Sequence, residues 1–323
     1  MRLFLVRHGE TVDNVAGIYA GSRDSALTNH GIQQARRLGA WFADNRLPLT
    51  HVFASPLQRA HKTAEAVSTA QKTQAVSITK VEQLVEQDFG YYEGKPFYAR
   101  QRDSPSKTGR EAHHDAHKSE PGFVDVESKA SMAKRSDDFL DTHLIPLLES
   151  GERPPEELVV VVVSHGILLS NLWRRLLLRL PRRSLTVVPE VSAARSPLVL
   201  EHLGGWSNTG YLELSLLLKP IQPAPARLTP DNDDPSSEAT AVTGHSAGRH
   251  EPSTPPNRND DGGSSSGNIS RQPCLAGCLT TILMVDGKQH LQGFKRTRGG
   301  IGRAQYDEKQ KTMDSFFKRA KKE

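Results

Sequence analysis

Cysteine is almost missing from this chain, with only Cys274 and Cys278 among 323 residues. That excludes a disulfide framework, and a Cys-x-x-x-Cys pair without other suitable partners does not make a zinc site. Long apolar runs are missing as well. The longest, Leu158–Val163, falls far short of the ~20 residues a helix needs to cross a bilayer, so no membrane span is expected. A hydrophobic fraction of 36% is low for one compact globule, and 20 prolines and 25 glycines must be accommodated somewhere. They cluster between about Lys219 and Gln272, in runs such as Pro223-Ala224-Pro225, Asp231–Pro235 and Asp260–Gly267. Such a stretch buries too little apolar surface to offset chain entropy, so 220–287 is read as a disordered linker that leaves both cysteines outside the core. The first strand begins close to Met1, which leaves no room for a signal peptide and predicts an intracellular protein.

What is present begins at once. Leu3-Phe4-Leu5-Val6 reads as a central strand of an α/β sheet, and it ends in Arg7-His8-Gly9-Glu10-Thr11. Ligands of such sheets bind beyond the carboxyl ends of the strands. Downstream, Leu158–Val163 runs directly into Ser164-His165-Gly166. Two strands thus deliver two histidines, each followed by a glycine that would let the chain turn sharply and bring backbone N–H groups close to an anion. Phosphate is the ligand this suggests. Either histidine alone reads equally as a satisfied polar residue at a strand end, so the weight falls on what accompanies them.

Asn14 follows His8 by one short loop, and Thr28 caps a helix starting at Asn29. Ser55-Pro56-Leu57-Gln58-Arg59-Ala60 leads into Thr63-Ala64, which places Arg59 in the first turn of a helix. Glu86 to Gly94 supplies carboxylates in a loop. In this order, over about residues 1–218, the motifs resemble the histidine phosphatase superfamily, also called phosphoglycerate mutase-like. Two departures stand out: Val126-Glu127-Ser128 where many relatives carry Gly-Glu-Ser, and a longer, more polar stretch at 95–125.

The resemblance implies that His8 is a nucleophile that becomes phosphohistidine. Arg7, Asn14 and Arg59 then bind the phosphoryl oxygens together with His165, protonated when phosphate is bound. Glu86 is implied as the general acid and base, with Glu93 the alternative proton donor. These types suit phosphoryl transfer, which needs an in-line nucleophile and neutralised equatorial oxygens. With that much fixed positive charge, neither metal nor cofactor is required. The implied activity is a metal-independent phosphomonoesterase acting on a phosphorylated small molecule or phosphoprotein. A mutase-type phosphotransferase is the runner-up, and a non-catalytic phosphate-binding interaction module is the reading from another class.

The pattern predicts a three-layer α/β/α sandwich with a mostly parallel sheet, confined to residues 1–219. Strands are expected at 2–7, 51–54, 76–81, 159–163 and, last, 211–218, and helices at 29–45, 56–71, 127–150 and 167–180. His113-His114-Asp115-Ala116-His117 could set two metal ligands on one helical face, but its charged neighbours favour a solvated insertion.

Residues 288–323 carry eleven Lys or Arg against four Asp or Glu. Clustered cations attract nucleic-acid backbones, while a solvated tail or import signal is the plainer reading and is preferred. Gln310, Met313, Phe316 and Phe317 resemble the PIP box, the peptide that binds the sliding clamp, proliferating cell nuclear antigen. One helical turn would gather Met313, Phe316 and Phe317 into an apolar plug; the alternative is an amphipathic helix packed on the core. Clamp binding places the protein in the nucleus and/or cytoplasm.

Overall fold

Alternate residues of strand β1 (Arg2–Arg7) enter two separate apolar clusters, Leu3 and Leu5 on one side and Phe4 and Val6 on the other. Strand β4 (Val159–Ser164) divides in the same way, and all of its residues are buried. A strand covered on both faces needs no polar alternation, which explains the unbroken valine run.

The computed structural model describes residues 1–71, 75–97, 114–195, 197–218, 275, 277–296 and 300–308. Its sheet has seven strands in the order β3-β2-β4-β1-β6-β7-β5. Strands β1, β2 (His51–Ala54), β3 (Ile78–Lys80) and β4 run parallel, and β6 (Tyr211–Leu218) runs antiparallel to β1. Beyond it, β7 (Cys278–Gly287) is antiparallel to β6 and β5 (Leu185–Val187) is parallel to β7. After the short helix α1 (Val12–Ala16), helices α2 (Asn29–Asp44) and α3 (Gln58–Thr69) cover one face. Helices α4 (Lys129–Phe139), α5 (Ile145–Glu149), α6 (Gly166–Arg179) and α7 (Pro189–Ala194) cover the other, which completes the α/β/α sandwich.

One register fixes the site. Arg7 pairs with Ser164 across the parallel β1–β4 ladder, so His8 and His165 leave the sheet side by side. The helix expected over 127–150 is interrupted by a π turn, Leu140–Leu144, in which Ile145 N–H reaches Leu140 O. Pro146 follows; it has no N–H to donate and its ring crowds the preceding turn, so the ladder loosens there.

The C-terminal half departs further from the sequence reading. Strand β6 is not the last, because Cys278–Gly287 pairs along its whole length, with Cys278, Thr280 and Ile282 buried at alternate positions. Cys278 therefore sits in the core rather than outside it, while Cys274 and the stretch 219–274 lie outside the described residues. The described residues that follow β7, 288–296 and 300–308, are not a solvated tail either. Phe294 stacks on His30 and lies under Arg37, Arg296 pairs with Glu10, Tyr306 N–H donates to Leu27 O at 2.9 Å, and Glu308 pairs with Lys62. The boundary at 219 is thus wrong for this chain: strand β7 extends the sheet, and Phe294, Arg296 and the residues near Tyr306 pack along α2 and its approach.

Candidate active site

The carboxyl ends of β1, β2 and β4 open into a cavity of about 830 Å³. Arg7, His8, Asn14, Arg59 and Glu86 line its floor together with Gly166. Ile18, Tyr19, Phe89, Phe97, Ile167, Arg174 and Trp206 form the walls. Among the described residues Phe97 is half exposed and Ile167 partly so.

The His8 ring is buried and its Nδ1 donates to Gly9 O at 2.7 Å, which leaves Nε2 as the lone-pair nitrogen. Burial first, then the charges of Arg59 and Arg7, hold its pKa well below the ordinary histidine value, so the ring is a neutral imidazole. Arg7 donates Nη1 to Trp206 O at 2.6 Å, whereas its Nε is buried with no hydrogen-bond partner among the described residues. Arg59 is almost wholly buried. Its Nη groups donate to the carbonyls of Ala20, Gly21 and Arg23, and its Nε donates to His165 Nδ1 at 3.1 Å. Burial lowers the pKa of both guanidinium groups, and Glu86 is the first charge to oppose it.

His165 lies behind Arg59, its ring centroid 5.1 Å from that of His8. With Nδ1 accepting from Arg59, its Nε2 donates to Ser55 Oγ at 2.9 Å, the pattern of a neutral ring. Burial, then Arg59, His8 and Arg7, keep it neutral in the ligand-free site; the resemblance implied a protonated ring only with phosphate bound. Asn14 Oδ1 accepts from Thr11 N–H at 3.3 Å and from Asn208 Nδ2 at 3.1 Å, which fixes its amide plane and leaves its NH2 to donate.

Glu86 is anchored at the start of α6: Oε1 accepts from Gln87 and Leu168 N–H at 2.9 Å, and Oε2 accepts from Ile167 N–H at 3.1 Å. Its loop is held by a residue that sequence reasoning missed. Arg135 forms a bidentate pair with Glu127, both contacts 2.8 Å, and donates to the carbonyls of Gln83, Val85 and Glu86. Burial works against the Glu127 carboxylate, but Arg135, Ser131 and Asp88 N–H outweigh it and hold its pKa below the usual range. An Arg eight positions after a Glu straddling a helix start was the available signal.

Glu93 has a different part from the proton donor considered above. Its carboxylate accepts N–H bonds from Gly21, Ser22, Arg23 and Phe89, and so shapes the loop whose carbonyls hold Arg59. Gly9 and Gly166 do not adopt left-handed backbone. Gly9 is required for another reason: a Cβ there would stand 2.5 Å from Gly31 O, while one at Gly166 would meet only Arg7 at an ordinary 3.8 Å.

The turn 207–210 also escaped the sequence reading. Thr209 N–H donates to the carbonyls of Arg7 and His8, and Asn208 Nδ2 donates to His8 O at 3.2 Å. Among the described residues no group of three or more His, Cys, Asp or Glu could hold a metal ion. His117 stacks on Tyr91, His113 lies outside the described residues, and so do Gln310, Met313, Phe316 and Phe317.

His8 and His165 thus stand at the ends of adjacent parallel strands, flanked by Arg7 and Arg59, an arrangement suited to holding a phosphate group. Residues 3–202 match the histidine phosphatase superfamily (branch 1), and the chain belongs to that superfamily. It is similar over 97% of its length to a protein of Schizosaccharomyces pombe named probable phosphatase, 28% identical and 78% covered. It is also 29% identical to a 2,3-bisphosphoglycerate-dependent phosphoglycerate mutase of Azorhizobium caulinodans, over 62% of this chain and 92% of that protein. Among solved structures, "Mycobacterial hydrolase 2" superposes with a TM-score of 0.50 at 25% identity, over 68% of this chain and 83% of that one. The protein is accordingly an enzyme with the phosphatase or phosphoglycerate mutase-like activity of the superfamily.

Proposed function

We propose that this enzyme is a phosphomonoesterase working through phosphohistidine at His8. One observation carries the reading: a neutral His8, its Nδ1–H tied to Gly9 O, stands beside Arg7, whose buried Nε has no partner among the described residues. A buried unsatisfied donor calls for an explanation, and a phosphoryl oxygen supplies one.

His8 Nε2 attacks phosphorus in line with the ester bond. That bond breaks as Glu86 gives its proton to the departing oxygen, then the resulting carboxylate takes a proton from the water that cleaves the N–P bond and frees phosphate. Arg7 and Arg59, with the Asn14 amide, offset the charge on the equatorial oxygens. A dianion between the arginines offsets the charges that, after burial, keep His165 neutral; a ring that gains its proton there turns Nδ1 from acceptor to donor and gives up the contact with Arg59 Nε. With the full chain, release of phosphate from an aryl phosphate should persist in excess chelator and fall at least a thousandfold in Arg59→Ala and His8→Ala. Undiminished turnover by His8→Ala would end the proposal.

Recruitment to the sliding clamp is the second reading. It is supported by Gln310, Met313, Phe316 and Phe317 and by the anchoring of Glu308 on Lys62, two residues before the motif begins. The same anchoring disfavours a nucleic-acid arm, because Arg296 already pairs with Glu10. Titration calorimetry of residues 305–323 against the purified clamp should show binding that drops more than tenfold on replacing both phenylalanines with Ala, since buried aromatic anchors cost about 2 kcal/mol or more when truncated. A wild-type peptide that does not bind would remove recruitment and leave the phosphatase.

A further inference from the structure

Thr209 is a β-branched residue in the left-handed backbone region, φ +56°. Such a residue avoids this region unless its surroundings over-determine it. Here the strained peptide touches the chemistry directly, with its N–H shared between Arg7 O at 3.0 Å and His8 O at 3.2 Å. The neighbouring Asn208 amide bridges His8 O and Asn14 Oδ1. The turn therefore sets both the peptide that carries the nucleophile and the orientation of the Asn14 amide.

What holds the turn comes from β7 and the segment after it, beyond the residues 3–202 that match the superfamily. Asp286, at the end of β7, accepts Ser207 N–H on Oδ1 at 2.8 Å and Ser207 Oγ–H on Oδ2 at 2.9 Å. Lys288 pairs with the same carboxylate at 3.1 Å. Gly210 is what lets Asp286 in, because a Cβ there would lie 2.2 Å from Asp286 Oδ1. His290 is buried and its Nε2 meets Thr209 Oγ1 at 2.8 Å. Thr209 Oγ1 donates to Asn208 O at 2.7 Å, so its remaining capacity is as acceptor and His290 donates to it. Both ends of the strained peptide are thus pinned by the C-terminal strand and its exit.

We infer that Asp286 and His290 are positioning residues of the phosphatase: through Ser207 and Thr209 they fix the carbonyl of His8 and, through Asn208, the amide of Asn14. The inference rests on His8 being the nucleophile. Neither residue touches substrate, so their loss should slow attack while leaving ground-state binding in place. A misplacement of about 1 Å in a reacting group costs on the order of a hundredfold.

The test compares full-length wild type, His290→Leu, His290→Gln and Asp286→Asn in rapid-quench single turnovers on an aryl phosphate. Gln keeps an N–H donor for Thr209 Oγ1; Leu does not. Phosphoryl transfer to His8 should slow about ten- to a hundredfold in His290→Leu and recover to within threefold in His290→Gln, with KM within twofold of wild type in both. Asp286→Asn should slow transfer about tenfold, and it keeps the test open if His290→Leu does not fold. A folded His290→Leu, or failing that Asp286→Asn, that transfers at the wild-type rate would overturn the inference. Absence of any phosphoenzyme in wild type would instead overturn the assignment of His8.

Discussion

Lowering the pH from about 8 to about 5 should cost the fold about 2 kcal/mol at one residue, His290. The ring is 6% exposed, and burial together with the Arg37 charge pushes its pKa from 6.5 down to about 4. The unfolded chain therefore takes up a proton that the folded chain refuses. The sign follows: the folded form keeps its full stability above the unfolded value and loses it as pH falls through the window between the two. The complete gap corresponds to about 3 kcal/mol, of which about 2 kcal/mol is gone at pH 5. His8 and His165 are depressed in the same direction, so the whole protein will lose more than this. Subtraction isolates the residue. Gln at 290 keeps the donor to Thr209 Oγ1 and cannot titrate, so urea unfolding of wild type and His290→Gln at both pH values should show the variant losing about 2 kcal/mol less. An equal loss in the two proteins would refute the reasoning, because it would mean that His290 protonates in the folded state as readily as in the unfolded one.

Glu86→Gln should slow hydrolysis of alkyl phosphates about a hundredfold or more and of aryl phosphates with good leaving groups much less; equal losses in a steady-state comparison would remove Glu86 as proton donor. A chain ending at residue 219 lacks the strand that pairs with β6 and leaves Glu10 without Arg296, so near-ultraviolet circular dichroism should show lost tertiary packing and turnover should vanish, while a chain ending at Glu308 keeps both. Gly9→Ala should lower the melting temperature by several degrees because its Cβ has no room against Gly31 O, whereas Gly166→Ala should leave it within error. Matching melting temperatures for the two would show that the Gly9–Gly31 approach relaxes freely.

The valine run of β4 and the alternation of β1 made the sheet centre legible, because strands buried on both faces have a pattern that no loop or surface helix shares. Arg7, His8 and Arg59 could be placed at strand and helix ends from local pattern and Glu86 in a loop, but their grouping into one site came from the ordered motifs that resemble the superfamily. Strand β7 was hidden by averaging. Cys278–Gly287 has the β-branched and apolar content of a strand, but composition read across 220–287 is dominated by the Pro/Ser/Gly-rich stretch before it. The partners of the site were hidden by distance. Asp286 meets Ser207 across 79 residues and Arg296 meets Glu10 across 286, and no local spacing rule reports contacts of that separation. The partners of His165 were hidden too, since only the fold brings Arg59 and Ser55 to its two nitrogens.

The central claim is that His8 Nε2 carries the phosphoryl group. Incubating the full chain with an aryl phosphate, quenching in alkali and mapping the modified peptide by mass spectrometry should show an acid-labile, base-stable phosphoryl group on the peptide containing His8, absent from His8→Ala. A phosphoryl group on another residue, or turnover by wild type with no label at His8 under single-turnover conditions, would contradict it.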